Sequence, residues 1–294
     1  MGDDYDVMYL GGGASLQFAM VPYNLLRESG TAAYVNTGVW ASKAIKESKI
    51  IGNTNVIASS EDKNFSYIPK GYEIPKDADY LHITSNNTIY GTQLKEFPKC
   101  DIPLVCDMSS DIFSRQLDFS KFDIIYAGAQ KNMGPAGTTL VVIKEEILGK
   151  NGREIPSMLD YAKHIKAESM YNTPPVFPVY ASLLTLQWLK KLGGIAAIEK
   201  INNAKAELLY NEIDRNPLFK GAAAVEDRSN MNATFLLNNP EHAAIFDAMW
   251  KEAGISGLPG HRSVGGYRAS MYNAMPIESV QVLVDVMQAL EKSI

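Results

Sequence analysis

Short apolar runs alternate with longer amphipathic stretches through the first two-thirds of the chain. The runs are rich in Val, Ile and Tyr and end in small or polar residues, which is typical of buried strands. Seven runs are predicted to be strands: Val7–Leu10, Ala32–Asn36, Asn55–Ala58, Tyr80–Thr84, Pro103–Asp107, Asp123–Ala127 and Thr138–Lys144. Stretches between them, such as Leu16–Leu26 and Trp40–Lys49, are predicted to be helices. This alternation predicts an α/β fold with a mainly parallel seven-stranded sheet flanked by helices.

The last third of the chain has a different pattern. Tyr180–Leu192 carries apolar residues at helical spacing and is followed by Gly193-Gly194, which is typical of a helix end. The remaining predictions are helices at Ile195–Ile213, Ala243–Glu252 and Glu278–Glu291, and strands at Asn232–Leu237 and Tyr267–Tyr272. The mixture predicts a smaller C-terminal α+β domain over residues 196–294, after a large domain over residues 1–195.

Composition narrows the class of protein. A chain of 294 residues can bury a core without disulfides or a structural metal, and its two cysteines are too few for either framework. A net charge of −5 and a pI near 5.5 argue against a nucleic-acid or membrane-surface binder. The acidic start, Met1-Gly2-Asp3-Asp4, does not resemble a secretory signal, and no apolar run reaches the length of a membrane span. We therefore expect a cytoplasmic protein.

Residues that could bind a ligand or take part in catalysis lie at the ends of three predicted strands. This is the edge at which open α/β sheets bind ligands. The turn Gly11-Gly12-Gly13-Ala14-Ser15 precedes a predicted helix and could hold a phosphate, although a glycine turn without a ligand fits equally well. Asp107 ends another strand, where a carboxylate could cap a helix, bind a metal or pair with a cationic heterocycle. Lys131 lies among small residues, and is either a solvated lysine or a nucleophile whose pKa is lowered by desolvation.

The three features together match the needs of pyridoxal phosphate. This cofactor requires an anion nest for its phosphate, a carboxylate for its pyridinium nitrogen and a lysine for its aldehyde. Trp40 could stack on the cofactor ring, and Thr88 could form a hydrogen bond with the ring hydroxyl. Considered singly, Trp40 could equally be a core aromatic residue and Thr88 a turn residue.

Longer stretches resemble the phosphoserine aminotransferase family, class V of the pyridoxal-phosphate enzymes that share the aspartate-aminotransferase fold, type I. The stretches are GGGASLQF, NTGVWASKAIKE, NNTIYGT, DMSSDIFSR, YAGAQKNMGPAG, YNTPPVFPVY and GHRSVGGYRASMYNAM. The resemblance extends from about Asp4 to the C-terminus. It implies a type I large domain that binds pyridoxal 5′-phosphate, and a homodimer whose two subunits share each active site.

The resemblance also implies roles for individual residues. Lys131 would bind the cofactor covalently and act as the general base, and Asp107 would keep the pyridinium nitrogen protonated. Further cofactor contacts would come from Ala14, Ser15, Trp40, Thr88 and Gln130, and from Asn172 and Thr173 of the second subunit. His261 and Arg262 would bind the anionic groups of the substrate, with Arg262 on the α-carboxylate.

The implied reaction transfers the amino group of L-glutamate to 3-phosphohydroxypyruvate and yields 2-oxoglutarate and O-phospho-L-serine, a step of serine biosynthesis. The family also acts on the related phosphorylated oxo-acid of pyridoxine biosynthesis. Family members open with an FNAGP-like segment and a His-Arg pair that grips the distal anion of the substrate, and neither precedes the glycine turn here. We therefore expect a chain without this N-terminal segment, with weak cofactor binding and slow transamination. The alternatives are a catalytically impaired cofactor-binding protein and another class V aminotransferase.

Overall fold

The computed structural model describes residue 2 and residues 4–294; Met1 and Asp3, part of the acidic start, lie outside the described residues. A seven-stranded sheet forms the centre of the fold. Its strands in chain order are β1 (Tyr5–Leu10), β2 (Thr31–Asn36), β3 (Asn53–Ser59), β4 (Tyr80–Thr84), β7 (Leu104–Asp107), β8 (Ile124–Gly128) and β9 (Thr139–Lys144). A two-stranded hairpin, β5 (Asn86–Asn87) and β6 (Thr92–Gln93), follows β4.

The spatial order of the large sheet is β1-β9-β8-β7-β4-β2-β3. β9 is antiparallel to both of its neighbours, whereas β8, β7, β4, β2 and β3 pair in parallel. The predicted mainly parallel seven-stranded sheet is therefore confirmed. β8 and β9 form a hairpin, and the loop between them, residues 129–138, carries Lys131 beyond the carboxyl end of β8.

Both faces of the inner strands of this sheet are buried, which explains why most of these strands are almost continuously apolar, whereas the edge strand β3 is largely exposed. On one face, Met8, Tyr34, Tyr80 and Tyr126 pack with α1 (Gly13–Leu25), and the same cluster includes Ala44 and Ile45 of α2 (Val39–Ile51). A short helix, α3 (Tyr161–Lys166), adds the buried Tyr161 to this face. On the other face, alternate residues such as Leu81, Cys106 and Ile125 pack with Ile112 and Met133 from the loops.

The C-terminal third forms a second hydrophobic core. Its elements are α4 (Val176–Lys191), α5 (Gly194–Arg215), β10 (Phe219–Gly221), β11 (Asn232–Leu237), α6 (Ala243–Glu252), β12 (Tyr267–Ser270) and α7 (Ile277–Ser293). The antiparallel sheet β10-β11-β12 packs with α5, α6 and α7 around Phe235, Phe246 and Met287. Because the buried residues of this core lie between positions 206 and 290, they agree with a C-terminal α+β unit, and the boundary at residue 196 stays a prediction.

Gly193 separates α4 from α5 with a φ of 112°, a left-handed conformation that favours glycine. The two helices can therefore follow each other without an intervening loop. Among the helices that the structure describes, none combines the length and the hydropathy needed to cross a bilayer.

Candidate active site

The glycine turn after β1 leaves the N-terminus of α1 open. Gly12 and Gly13 adopt φ values of 89° and 63°, so the chain turns sharply into the helix. The first turn of α1 has no acidic residue, and Gly12, its N-cap, provides no side-chain acceptor. A Cβ atom built on Gly13 would meet nothing within 4 Å. Uncapped N–H groups and the helix dipole make this turn, which includes Ala14 and Ser15, suitable for a phosphate.

Gln130 lies close to the end of β8, on the same edge of the sheet. Its side chain folds back over Gly128, where an added Cβ would come within 2.7 Å of Gln130 Oε1. The residue is exposed, whereas Gly128 and Ala129 before it are buried. The glycine therefore allows the Gln130 amide to lie against the strand end while one side of it faces solvent.

Trp40 and Thr88 form one wall of the site. Trp40 Nε1 donates a hydrogen bond of 3.1 Å to Thr88 Oγ1, and Thr88 is buried. Gly38 allows this approach, because a Cβ there would lie 3.0 Å from Asn87 Oδ1 and 3.1 Å from the ring of Tyr90. The start of α2 can therefore pack directly on the segment that contains Thr88.

Asp107, at the end of β7, is a buried carboxylate without a strong counter-ion. It is 5% exposed and accepts a hydrogen bond of 2.9 Å from the backbone N–H of Ser109. None of the ion pairs found among the described residues includes it. Burial raises the pKa of Asp107, while the Ser109 hydrogen bonds and the charge of Lys131 oppose that rise. A cationic group placed beside this carboxylate would stabilise its ionised form.

Lys131 faces the same wall. Its Nζ lies 5.6 Å from the centroid of the Trp40 ring. Burial lowers the pKa of Lys131, the carboxylate of Asp107 opposes this, and the guanidinium of Arg268 lowers the pKa further. Asp107 and Arg268 therefore both act electrostatically on Lys131, and burial biases the amine towards its neutral, nucleophilic form.

Arg268 is a site residue that the sequence analysis missed. It lies on β12, and its Nη1 donates a hydrogen bond of 3.2 Å to the backbone carbonyl of Thr88. Its Nε is buried and has no hydrogen-bond partner among the described residues. A guanidinium that has a free donor and that lies close enough to lower the pKa of Lys131 can bind a carboxylate at this site. The signal in the sequence was an arginine inside a short strand of the GGYRAS stretch, six residues after Arg262.

The other predicted substrate residues lie on an exposed loop. His261 and Arg262 are both exposed, and His261 Nδ1 lies 2.8 Å from Ser263 Oγ. Val264 of this loop packs on the cluster of Phe65, Ile89 and Tyr90, which Val39 also contacts. Because Val39 precedes Trp40, the loop is near the wall of the site, but the two predicted side chains are open to solvent.

Asn172 and Thr173 are also exposed, in the segment before α4. The contact found for Asn172 Nδ2 is a hydrogen bond of 3.4 Å to the carbonyl of the adjacent Thr173. No hydrogen bond among the described residues links either of these two residues to Lys131. The structure thus joins Lys131, Asp107, Trp40 and Thr88, with Gln130 and the glycine turn on the same sheet edge, and leaves four predicted residues on exposed segments.

Pyridoxal phosphate fits this set of residues. Asp107 is a buried carboxylate that forms no ion pair with another described residue, and a protonated pyridine nitrogen would supply one. Lys131 is a partly desolvated amine, suited to an aldehyde, beside an indole that offers a flat surface. The uncapped N-terminus of α1 suits a phosphate. Within the described residues, no cluster of three metal-ligating side chains was found.

The sequence matches the profile of the class-V aminotransferase family over residues 1–283. It is 76% identical over 293 residues to the phosphoserine aminotransferase of Flavobacterium johnsoniae, covering 100% of this chain and 82% of that protein. It is 58% identical over 291 residues to the phosphoserine aminotransferase of Parabacteroides distasonis, covering 98% of this chain and 81% of that protein.

Solved structures give the same result. The phosphoserine aminotransferase of Bacillus circulans subsp. alkalophilus superimposes with a TM-score of 0.96 at 46% identity, covering 99% of this chain and 82% of that one. The pyridoxal-phosphate-bound phosphoserine aminotransferase of Trichomonas vaginalis superimposes with a TM-score of 0.91 at 34% identity, covering 98% of this chain and 83% of that one.

Proposed function

Because the chain belongs to the class-V aminotransferases and, within them, to the phosphoserine aminotransferase family, we propose that it transfers the amino group of L-glutamate to 3-phosphohydroxypyruvate. The products are 2-oxoglutarate and O-phospho-L-serine, and the cofactor is pyridoxal 5′-phosphate. The observation that carries the proposal is the placing of the Lys131 amine among Asp107, Arg268 and the Trp40 ring. This set provides a base, a carboxylate for the cofactor and a cation for the substrate.

Residues of this chain would hold the cofactor at several points. Asp107 would pair with its ring nitrogen, Trp40 would lie against its ring, and Thr88 would contact its ring hydroxyl. The N-terminal turn of α1, with Ala14 and Ser15, would bind its phosphate together with Gln130. When bound, the cofactor supplies an electron sink that stabilises negative charge at the substrate Cα.

Lys131 would hold and move the proton of the substrate. As a general base it must be neutral at the moment of transfer, and burial and the charge of Arg268 both lower its pKa in that direction. Asp107 opposes this shift, so the amine keeps enough basicity to accept a proton. Once Lys131 is charged, the Asp107 carboxylate stabilises the ammonium until it gives the proton back.

Arg268 would bind the α-carboxylate of glutamate. Its guanidinium is fixed by Thr88 through Nη1, and its Nε has no partner among the described residues. The sequence analysis assigned this carboxylate to Arg262, but Arg268 is the arginine that acts on Lys131 within the chain. We therefore propose His261 and Arg262 for the second anionic group of the substrate.

A second copy of the chain would complete the site. α4 carries a row of exposed apolar residues, here named the α4 face: Val176, Phe177, Tyr180, Leu183, Leu184 and Trp188. Val176 and Phe177 are 68% and 71% exposed, which is unusual for a contiguous apolar surface that stays in water. Asn172 and Thr173 precede this face directly. A two-fold homodimer formed through the α4 face would carry them towards the partner's cofactor phosphate.

The proposal can be tested by spectroscopy on the purified chain supplied with pyridoxal phosphate. Glutamate should abolish the absorption band of the lysine-bound cofactor, and 3-phosphohydroxypyruvate should restore it with release of O-phosphoserine. Alanine with glyoxylate serves as the competing substrate pair. A band that glutamate leaves unchanged would indicate a cofactor-binding protein without activity. Borohydride should fix the cofactor to Lys131 but not to a Lys131→Ala variant.

A further inference from the structure

Lys131 and Arg268 come from distant parts of the chain, and a set of buried side-chain amides links the segments that carry them. We name this set the amide seam: Asn132, Asn202 and Asn273, which are 5%, 1% and 4% exposed. Asn132 follows Lys131 directly, and Asn273 lies shortly after β12, the strand that carries Arg268. The amide seam therefore joins the segment of the base to the segment of the substrate-binding cation.

Both the oxygen and the nitrogen of the Asn132 side-chain amide form hydrogen bonds. Its Oδ1 accepts a hydrogen bond of 3.0 Å from the backbone N–H of Asn273. Its Nδ2 donates to the carbonyls of Ile112 at 3.1 Å and Ser110 at 3.4 Å, in the segment that follows Asp107. The side chain next to Lys131 thus ties its loop both to the strand end of Asp107 and to the chain after Arg268.

The side chain of Asn273 forms further hydrogen bonds, with residues other than Asn132. Its Nδ2 donates to the carbonyl of Phe113 at 2.9 Å, and its Oδ1 accepts from Asn202 Nδ2 at 2.8 Å. Asn202 Nδ2 also donates to the carbonyl of Ser114 at 3.0 Å. Phe113 has a φ of 58°, a left-handed conformation that is rare outside glycine and that surrounding contacts must maintain.

Lys205 adds a further constraint to the same segment. Its side chain is fully buried, and its Nζ donates to the carbonyls of Met271, Tyr272 and Met275 at 3.0, 2.9 and 3.0 Å. Burial lowers the pKa of this amine to about 8. The chain that follows β12 is therefore clamped to α5 by the Lys205 ammonium and to the Lys131 loop by the amide seam.

We propose that the amide seam sets the separation between Lys131 and Arg268, and that Asn132 and Asn202 are positioning residues for amino transfer. This inference rests on the proposed function, because it assumes that Arg268 holds the substrate carboxylate while Lys131 moves the proton of the neighbouring Cα. Proton transfer depends steeply on such distances, and a displacement of about 1 Å can lower a rate by about 100-fold. The amide seam fixes this distance before substrate arrives.

The test compares two variants with a matched control. Asn132→Ala removes the hydrogen bonds of the central amide, and Asn202→Ala weakens the support of Asn273 without altering a neighbour of Lys131. Asn216→Ala is the control, because Asn216 is 1% exposed and forms three hydrogen bonds within the C-terminal core. All three variants remove buried amide contacts, but Asn216 has none with the amide seam.

We expect both seam variants to lower kcat by about 10-fold or more with a smaller change in the KM for glutamate, and the control to retain its kcat. A second readout is the pH midpoint for reductive methylation of Lys131 in the cofactor-free chain, followed by mass spectrometry. Since the charge of Arg268 lowers the pKa of Lys131, a looser spacing should move this midpoint to higher pH. The control should lose thermal stability without moving it.

An unchanged kcat and midpoint in Asn202→Ala would overturn the proposal, even where Asn132→Ala fails to fold. Equal shifts in Asn216→Ala would overturn it as well, because they would assign the effect to general loosening of the fold. If the unmodified chain transferred no amino group from glutamate, the proposed function would fail, whereas the methylation midpoint would still test the spacing of Lys131 and Arg268.

Discussion

The indole N–H of Trp40 is bound to the hydroxyl of Thr88 at 3.1 Å, so the two residues proposed to face the cofactor ring fix each other. This bond joins the first turn of α2 to the segment after β5, two parts of the chain that pack closely because Gly38 has no side chain. The orientation of the indole is therefore set before the cofactor arrives.

We predict that Thr88→Val weakens cofactor binding by about 5-fold to 10-fold, because a buried neutral hydrogen bond contributes about 1 kcal/mol. Titration of the cofactor-free chain with pyridoxal phosphate, followed by Trp fluorescence, measures this. Thr234→Val is the matched control, since Thr234 is buried and its hydroxyl donates to the carbonyl of Tyr90, which is not proposed to contact the cofactor. Equal losses in both variants would contradict a specific role for the Trp40–Thr88 bond.

The buried carboxylate of Asp107 predicts a pH dependence of stability in the cofactor-free chain. Burial raises its pKa in the folded state, so the stability associated with this group is present below the ordinary carboxyl pKa and is lost as pH rises through the folded value. Because an amide does not ionise, Asp107→Asn should remove this decrease in folding stability with rising pH. We expect the variant to melt about 2 °C or more above the unmodified chain at about pH 8, with the difference vanishing near about pH 4.

The same variant should behave differently with cofactor bound. An amide cannot stabilise a protonated pyridine nitrogen, so Asp107→Asn should slow the reaction with glutamate by about 100-fold or more. Stopped-flow absorbance measures the rate of this half-reaction. A variant that is more stable without cofactor and yet slow with it would separate the two roles of the carboxylate, whereas near-normal turnover would exclude the proposed pairing with the cofactor.

Arginine-to-lysine substitutions distinguish the two candidates for the substrate α-carboxylate. Lysine keeps the charge but loses the planar pair of donors that a carboxylate accepts. We predict that Arg268→Lys raises the KM for glutamate by about 10-fold to 100-fold and that Arg262→Lys mainly raises the KM for the phosphorylated oxo-acid. Steady-state kinetics with each substrate varied in turn give the comparison. The reverse pattern would return the α-carboxylate to Arg262.

The α4 face predicts the effect of a charge on assembly. Phe177→Asp places a carboxylate within the proposed subunit contact, and burying it without a partner would cost several kcal/mol. We expect a dimer in the unmodified chain and a monomer in this variant, measured by sedimentation velocity. Ile50→Asp, at a residue that is 72% exposed on α2, is the control and should not alter the sedimentation coefficient. A variant at Phe177 that stays dimeric would place the contact elsewhere.

Much of the fold was predictable because the inner strands of its large sheet are buried on both faces. The predicted bounds of β4 and β11 agree with the structure, and the ends of the other predicted strands lie within two residues of the observed ends. The sequence analysis missed β5, β6 and β10, which have two or three residues each and cannot show an alternating pattern. It also missed α3, whose six residues span fewer than two turns.

The candidate site could be predicted only where its residues lie at the ends of individual strands. Asp107 and Lys131 could be recognised because Asp107 ends one buried apolar strand and Lys131 closely follows another. Arg268 could not be recognised in this way, since it reaches the site through tertiary contacts such as its hydrogen bond to the carbonyl of Thr88. The helix at α4 was predicted from its apolar spacing, but the spacing could not show that Phe177 and Tyr180 would be left exposed.

The hairpin of β8 and β9 constrains the backbone that carries the Lys131 amine, the group proposed to move the substrate proton. Thr139 pairs with Gly128, and the N–H of Ala129 donates to the carbonyl of Thr138 at 3.0 Å, so the loop is closed at its base. Met133 N–H also donates to the carbonyl of Ala129 at 3.1 Å, which winds the loop tightly around Lys131. During the proposed reaction, the Lys131 amine would therefore move by rotation about the bonds of its own side chain, while the backbone of the loop stays in place.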